Sequence, residues 1–286
     1  MPELQSLYIS ELWFWKIGAF MKQLCLKSYD IYSRKIKAKE VRLHFLSDLH
    51  GLSFGTDQSV LLKVMEKRNP NLVLIGGDMI VGDCHQSWMK LEKLLKKLKQ
   101  EFPVYYAMGN HEQKISCPWR EEMSSEAQEL FSAIRENSIF LDNSSSVFCC
   151  GENHLRITGL SLEKEYYRKP FPKELTRKHI CELVGESKLS DDYQILLAHN
   201  PYHADAYFQW GGDLTLSGHY HGGVVRFDEN RGLISTHFHP FPKYCCGRFQ
   251  KGDSQLIVSP GMGEHSVKVR VHNPRELIEI RLLPMQ

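Results

Sequence analysis

Three times in the first half of the chain, a short apolar run ends in a polar cluster and is followed by a helical pattern. The apolar runs span residues 41–46, 72–75 and 103–108 and are typical of strands. Helical periodicity follows each of them, at residues 59–68, 87–100 and 122–136. The run Leu72–Ile75 is apolar throughout, as in a parallel strand that is buried on both faces. The alternation predicts an α/β domain.

The polar clusters lie at the carboxyl ends of the predicted strands, which is where open α/β sheets place their sites. Two further clusters follow apolar strands predicted at 194–198 and 214–217. In chain order the five are Asp48-Leu49-His50, Gly77-Asp78, Gly109-Asn110-His111-Glu112, His199 and Gly218-His219-Tyr220-His221. Each is common by chance, so the signal lies in the combination. Two aspartates, an asparagine and at least four histidines suit a pair of divalent metals such as Mn²⁺, Fe or Zn²⁺, with Mn²⁺ preferred.

The second half of the sequence is more purely β. Strands are predicted at residues 147–150, 155–160, 224–227, 256–259, 267–271 and 276–282, with a charged helical or irregular region between 163 and 192. No internal repeat or linker interrupts the pattern. We therefore predict one catalytic domain over residues 36–286, preceded by an N-terminal appendage over residues 1–35.

The N-terminal segment is aromatic and apolar, with lysines between the aromatic residues. Over residues 7–26, tryptophan beside lysine is the composition of a helix that lies in a membrane interface. A helix packed on the domain or on a partner chain has the same composition, so both readings stay open. No run reaches the ~20 apolar residues of a membrane-spanning helix.

Charge and cysteine content narrow the partners and the compartment. A net charge of +2 lacks the strongly basic footprint of nucleic-acid binding, so we expect no nucleic-acid partner. The eight cysteines show no CxxC spacing and suit a reducing compartment. We predict a cytoplasmic protein, with peripheral contact at the inner face of the membrane as the alternative that residues 7–26 allow.

Across residues 41–282 the chain resembles the calcineurin-like metallophosphoesterase superfamily, whose pattern is D-x-H, G-D, G-N-H-[E/D], H and G-H-x-H. It is closest to a bacterial branch of small membrane-associated phosphodiesterases, which includes a UDP-2,3-diacylglucosamine hydrolase of lipid A synthesis. The branch shares Leu46-Ser47-Asp48-Leu49-His50, Phe241-Pro242-Lys243-Tyr244, Ser259-Pro260-Gly261-Met262-Gly263 and Asn273-Pro274-Arg275-Glu276. The resemblance implies a four-layer α/β sandwich with two central mixed β-sheets flanked by helices, and a metal site at the carboxyl ends of strands.

The resemblance also implies the role of each clustered residue. One metal would be held by Asp48, His50 and His221, and the other by Asn110, His199 and His219, with Asp78 bridging. A hydroxide bridging the two metals would attack phosphorus in line. His111 would stay free of metal and serve the leaving oxygen as the catalytic acid. Glu112 is predicted to support the site or the start of a helix.

One position departs from the superfamily pattern. Members often carry an aspartate three residues after the bridging one, and that aspartate orients the free histidine. Here the position is Val81, and Asp83 is the candidate substitute. The orientation of His111 is therefore the weakest point of the assignment.

The remaining predictions concern substrate. A loop near the site in the resembling branch nominates His237, His239, Lys243 and Arg226 as substrate-binding residues. The predicted activity is hydrolysis of a phosphodiester or pyrophosphate bond in a small-molecule or lipid-linked substrate, with UDP-2,3-diacylglucosamine as the specific candidate. The alternatives are a cell-envelope or nucleotide phosphodiesterase and, in another class, a silent scaffold. Scaffolds typically lose metal ligands, whereas all seven positions are intact here.

Overall fold

The computed structural model of the protein describes residues 23–37, 39–187, 191–264 and 270–285. Its helices are α1 (Ser59–Arg68), α2 (His85–Glu101), α3 (Asn110–Gln113), α4 (Ser125–Asn137), α5 (Arg177–Val184) and α6 (Ala204–Trp210). Its strands are β1 (Leu24–Ser33), β2 (Val41–Leu46), β3 (Leu72–Ile75), β4 (Val104–Ala107), β5 (Ile139–Leu141), β6 (Ser144–Cys150), β7 (Asn153–Leu160), β8 (Tyr193–Ala198), β9 (Leu214–Ser217), β10 (Gly247–Lys251), β11 (Ser254–Val258) and β12 (Arg275–Pro284).

The strands form two mixed sheets of six. The first has the order β1-β12-β2-β3-β4-β5, and its pairs are parallel except for β12 with β2. The second has the order β10-β11-β9-β8-β7-β6, with parallel pairs in the middle and an antiparallel pair at each edge. The parallel strands place their carboxyl ends along one side of each sheet.

Three buried clusters define four layers. The central cluster joins the two sheets face to face, with Phe45 and Leu74 of the first packed near Ile195 and Leu216 of the second. On the outer face of the first sheet, α1, α2 and α4 cover a second cluster. On the outer face of the second sheet, α5 and α6 cover a third. The predicted four-layer α/β architecture, with two mixed sheets between helices, is confirmed.

The first sheet extends further toward the N-terminus than the sequence indicated. Residues 24–33, assigned to the appendage, form the edge strand β1 in parallel register with β12. Leu24 and Leu26 pack on the helix-side cluster, whereas Tyr29 and Ile31 pack between the sheets. The apolar residues of β1 change face between Leu26 and Tyr29, so the strand shows neither a helical nor a sustained alternating pattern, which explains the error. The predicted segment 7–26 lies outside the described residues up to residue 22.

Two further predicted strands are not found as strands in the described part of the chain. The predicted strand at 224–227 is a loop with two isolated bridges, Val225 to Val271 and Arg226 to Gly232. The run 267–271 lies outside the described residues up to 269. In the part of the chain that the structure describes, no helix has the length and apolarity to cross a bilayer.

Candidate metal centre

The five polar clusters meet at the carboxyl ends of β2, β3, β4, β8 and β9. Their backbone is unusual, because Asp48, His50, Asp78, His219 and His221 all have positive φ angles, between 46° and 65°. Non-glycine residues rarely adopt this left-handed region, and such conformations concentrate at functional sites. The sharp turns aim side chains from both sheets into one space.

Two glycines allow the clusters to approach each other. A Cβ atom on Gly109 would lie 2.2 Å from Asp78 Oδ1, and one on Gly218 would lie 2.1 Å from Asp48 Oδ2. Any side chain at either position would displace the carboxylate beside it. The backbone N–H groups that follow these glycines donate to the same carboxylates, His111 N to Asp78 at 2.7 Å and His219 N to Asp48 at 3.0 Å.

Hydrogen bonds to backbone carbonyls fix two imidazoles in one tautomer. Nδ1 of His50 lies 3.1 Å from the carbonyl oxygen of Ile80, and Nδ1 of His199 lies 2.7 Å from that of Gly76. A carbonyl only accepts, so each Nδ1 carries the proton and donates. When the ring is neutral, each Nε2 then presents a lone pair to the cavity, which is the arrangement of metal-ligating histidines.

The lone pairs converge on two carboxylates. Asp78 Oδ2 lies 3.2 Å from His199 Nε2 and 3.9 Å from His50 Nε2. Asp48 Oδ1 lies 3.6 Å from His221 Nε2. Nε2 of His50 also faces Nε2 of His221 at 3.2 Å. Acceptors that face acceptors at these distances fit a bound cation between them.

The ligand atoms fall into compact groups in which all members lie within 4.8 Å of one another. One group contains Asp48, His50 and His221, and a second contains Asp78, His199 and His219. These are the two predicted sets, apart from Asn110. The structure therefore brings the predicted ligands together.

Buried atoms without hydrogen-bond partners provide a test of whether these residues fit a metal. Among the described residues, Asn110 Oδ1, His199 Nε2 and His219 Nε2 are buried and lack a partner. A buried polar atom left unpaired costs about 1–3 kcal/mol. Bound cations would satisfy all three, and the oxygen and nitrogen donors match divalent transition metals. The residues fit the group that the sequence implies.

When no metal is bound, a proton on His199 offsets part of the negative charge of the buried aspartates. Burial raises the pKa of Asp48 to about 7. Burial opposes a charge on His199, but Asp78 and Asp48 outweigh it and raise the pKa of His199 to about 10. His199 and His111 in turn hold the pKa of Asp78 well below its usual range, although burial opposes this. Burial lowers the pKa of His221 to about 3, so its imidazole is neutral and competent to ligate.

His111 also lies in reach of the centre, since its Nε2 is 4.0 Å from Asp78 Oδ2 and it forms a third compact group with His50 and Asp78. Its tautomer is the opposite one. The backbone N–H of Gly82 donates to Nδ1 of His111 at 2.9 Å, so Nδ1 is the acceptor and the neutral ring carries its proton on Nε2. An Nε2–H group cannot ligate a metal but can donate to an oxygen.

The backbone of Gly82 therefore takes the orienting role that the pattern assigns to a carboxylate at position 81. Its carbonyl accepts from Trp88 Nε1 at 2.7 Å, which anchors the loop to α2. The prediction that Asp83 substitutes is wrong. Asp83 is exposed and pairs with Arg120 at 2.6 Å, because its position after the turn points it to the surface.

Glu112 joins two of the site loops beneath the centre. It is fully buried, and its Oε2 accepts from the backbone N–H groups of Asp78 at 2.8 Å and Gly109 at 2.9 Å. Its Oε1 accepts from Met79 N and the Tyr106 hydroxyl, both at 2.9 Å. The supporting role predicted for Glu112 matches this geometry.

A cavity of about 780 Å³ opens beside the centre. None of the four predicted substrate-binding residues is among those that line it. Arg226 is buried in an ion pair with Glu276 at 2.6 Å, and Lys243 points outward to Asp205 at 3.2 Å. His237 is fully buried and packs behind His219, with ring centroids 5.3 Å apart.

The fourth predicted residue, His239, packs against Tyr202 with ring centroids 5.8 Å apart. The same loop reaches the cavity with other residues, namely Ile234, Ser235, Thr236 and Phe238. The loop was predicted from the sequence, but the residues of the loop that face the cavity were not. An irregular loop has no periodicity that would indicate the direction of its side chains.

Comparisons with known proteins place this centre in context. The family model described as calcineurin-like phosphoesterase matches residues 41–241. The Bacillus subtilis protein YpbG, whose function is uncharacterised, is 28% identical and covers 90% of this chain and 86% of its own length. The Escherichia coli phosphodiesterase YaeI is 25% identical over 80% of this chain and 77% of its own.

Similarity to a solved structure extends to the fold. A Staphylococcus aureus protein described as a candidate 5′-nucleotidase, solved with alpha-ketoglutarate, superposes with a TM-score of 0.51 at 14% identity. The match covers 79% of this chain and about half of that protein, 49%. At this identity the likeness shows the fold alone. Since the family model spans most of the chain and includes the clustered centre, the protein belongs to the calcineurin-like phosphoesterase family and is a metal-dependent phosphoesterase.

Proposed function

We propose that the protein hydrolyses a phosphodiester or pyrophosphate bond with two divalent cations. Asp48, His50 and His221 would hold one cation, Asn110, His199 and His219 would hold the other, and Asp78 would bridge them. The observation that carries the proposal is the contrast between tautomers. His50 and His199 present lone pairs to the centre, whereas His111 presents an N–H group.

Each side chain then has a separate task. When bound, the two cations would supply Lewis-acid activation of water and neutralise phosphate oxygens. Nε2–H of His111 would donate a hydrogen bond to the leaving oxygen and stabilise the negative charge that develops there as the bond to phosphorus breaks. Asp78 positions His111 through the bond from His111 N to Oδ1, at 2.7 Å. Gly82 holds the ring in the donating tautomer.

The test measures hydrolysis of bis(p-nitrophenyl) phosphate with added Mn²⁺, together with metal content in the same preparation. We expect turnover that a chelator abolishes. Asn110→Ala should lower both metal content and activity. His111→Gln should keep two metals per chain while kcat falls by about 10²–10³, the usual contribution of one positioned hydrogen-bond donor to a developing oxyanion.

Leaving-group dependence separates the role of His111 from a loss of structure. The deficit of His111→Gln should grow for diesters with alkyl leaving groups, whose oxygen develops more negative charge than that of p-nitrophenolate. An equal deficit for both leaving groups would remove His111 from the role of donor. No turnover with any divalent metal, despite two metals bound, would overturn the proposal as a whole.

We extend the proposal to a lipid-linked pyrophosphate such as UDP-2,3-diacylglucosamine. Its support is Phe238, an aromatic side chain that lines the cavity and is 68% exposed. Release of UMP from the acylated substrate, but not from UDP-N-acetylglucosamine, is the expected result. Equal rates on both would reject lipid specificity. The membrane contact predicted for residues 7–26 is proposed with it, and a variant lacking residues 1–22 should bind anionic vesicles more weakly.

A further inference from the structure

We infer that the cavity holds a second anion subsite, formed by Lys114 and Lys169, which receives a phosphoryl group joined to the scissile one. The inference rests on the proposed function and narrows it to substrates with two adjacent phosphates. It depends on the charges of the cavity wall, on the geometry of the two lysines and on the rigidity of the segments that carry them.

The cavity wall carries an excess of positive charge. Its cations are Lys114, Lys164, Arg168, Lys169 and Arg270, and its carboxylates away from the metal centre are Glu165 and Glu264. Both carboxylates are already paired, Glu165 with Lys173 and Glu264 with Arg275.

Within the described residues, the four cations other than Arg270 form no ion pair. Arg270 is paired with Glu264. The two divalent cations of the proposed centre would carry four positive charges, which exceed the three negative charges of its two carboxylates and a diester. The wall therefore has positive charge left over, which favours a substrate with further negative charge.

Lys114 and Lys169 both line this part of the cavity. Lys114 immediately follows α3, three residues after His111, and Lys169 lies in the segment after β7. Nζ of Lys169 sits 5.5 Å from the ring centroid of Phe238, which keeps the amine over the cavity. Burial and the nearby charge of Lys114 lower the pKa of Lys169. Two amines that repel each other across a cavity are stabilised when an anion lies between them.

Hydrogen bonds fix the separation of the two segments. Gln113 Nε2 and Trp119 Nε1 both donate to the carbonyl of Leu162, at 3.0 and 3.2 Å. Tyr167 then packs edge-on against Trp119 at 5.3 Å and against His219 at 5.5 Å. These contacts join the segments that carry the two lysines to each other and to His219 of the metal centre. Binding an anion at the lysines therefore requires little reordering of these segments.

A pyrophosphate diester fits this arrangement chemically. One phosphoryl group would lie at the centre, and its neighbour, one bridging oxygen away, would lie toward the lysines. The oxygen of one water joins the attacked phosphorus as the bond to the bridging oxygen breaks. The leaving phosphate keeps the bridging oxygen, so two phosphate monoesters form and the protons of the water pass to them or to solvent.

The experiment compares two thymidine compounds that differ in phosphate number. The p-nitrophenyl ester of dTMP has one phosphate, and dTDP-glucose has two. Hydrolysis of both and competitive inhibition by dTDP-glucose are measured with Mn²⁺. Lys114→Met and Lys169→Met should each lower kcat/KM, or raise Ki, for dTDP-glucose about tenfold more than for the monophosphate ester, the size of one charge-assisted hydrogen bond.

Lys243→Met is the matched control, because Lys243 is exposed, lies outside the cavity and pairs with Asp205. It should leave the ratio of the two substrates unchanged. Equal losses on both compounds, or no loss with dTDP-glucose, would overturn the subsite. Failure of the wild-type protein to cleave the monophosphate ester would count against the proposed function instead. In that case the subsite would be tested by calorimetry, which measures binding of dTDP-glucose to the Mn²⁺-loaded protein and its lysine variants.

Discussion

Replacing Glu112 with glutamine should destabilise the protein far more than a change of two atoms suggests. The carboxylate is fully buried and accepts four hydrogen bonds from two loops and a tyrosine. A glutamine oxygen can replace one carboxylate oxygen and keep two of the bonds. If the amide nitrogen takes the place of Oε1, it faces the N–H of Met79, from which it cannot accept, whereas the Tyr106 hydroxyl can turn and accept from it.

The magnitude follows from these contacts. Hydrogen bonds to a charged acceptor contribute about 1.5–3 kcal/mol each, so the loss of the bond from Met79 N predicts about 1.5–3 kcal/mol. That is a substantial share of the roughly 5–15 kcal/mol by which domains are stable. Tyr106→Phe removes one bond to the same carboxylate but leaves no donor unpaired, so its cost should lie at the low end of this range, about 1.5 kcal/mol.

Urea unfolding in the presence of a chelator measures this effect without a contribution from metal binding. The Glu112→Gln midpoint should fall with an unchanged m-value, since the surface exposed on unfolding stays the same. Glu92→Gln, on the exposed face of α2, is the control and should leave the midpoint within error. A loss below about 1 kcal/mol for Glu112→Gln would refute the reasoning that Glu112 ties the loops together.

Two further predictions concern positioning and pH. Trp88→Phe removes the donor to the Gly82 carbonyl, so kcat should fall up to about tenfold with little change in KM or metal content. A change in KM of similar size would show that the substitution perturbs the whole site rather than the orientation of His111 alone. Burial opposes ionisation of Glu279, but hydrogen bonds from Arg68 and its neighbours hold the pKa of Glu279 well below its usual range. Its stabilisation is present above the usual glutamate range and is lost as pH falls below it, so wild-type unfolding should depend more steeply on acid pH than that of Glu279→Gln.

Much of the fold was predictable because its signals are local. The first three strands and the helices after them appear near their predicted bounds, since apolar runs and helical faces reflect burial directly. Strand β1 was missed because its apolar residues change face along the strand, which breaks the alternation. The predicted strand at 224–227 failed because apolar residues in a loop over the site mimic a strand.

The metal centre was predictable as a set of residues, but the roles within it depend on contacts. His50, His199 and His111 are the same residue type, each near the end of a strand. Only the backbone groups beside their Nδ1 atoms distinguish ligand from donor, a carbonyl for the first two and an N–H for the third. Those groups lie up to 123 residues away in the chain.

The order and spacing of the polar clusters were enough to determine the α/β class, the metal inventory and the reaction class, because each cluster follows a strand whose burial is written in its own residues. Tertiary structure decided which nitrogen faces the centre, what replaces the missing aspartate at position 81, and which cations line the cavity. These depend on the direction of side chains in loops brought together from both sheets, and no local period records that direction.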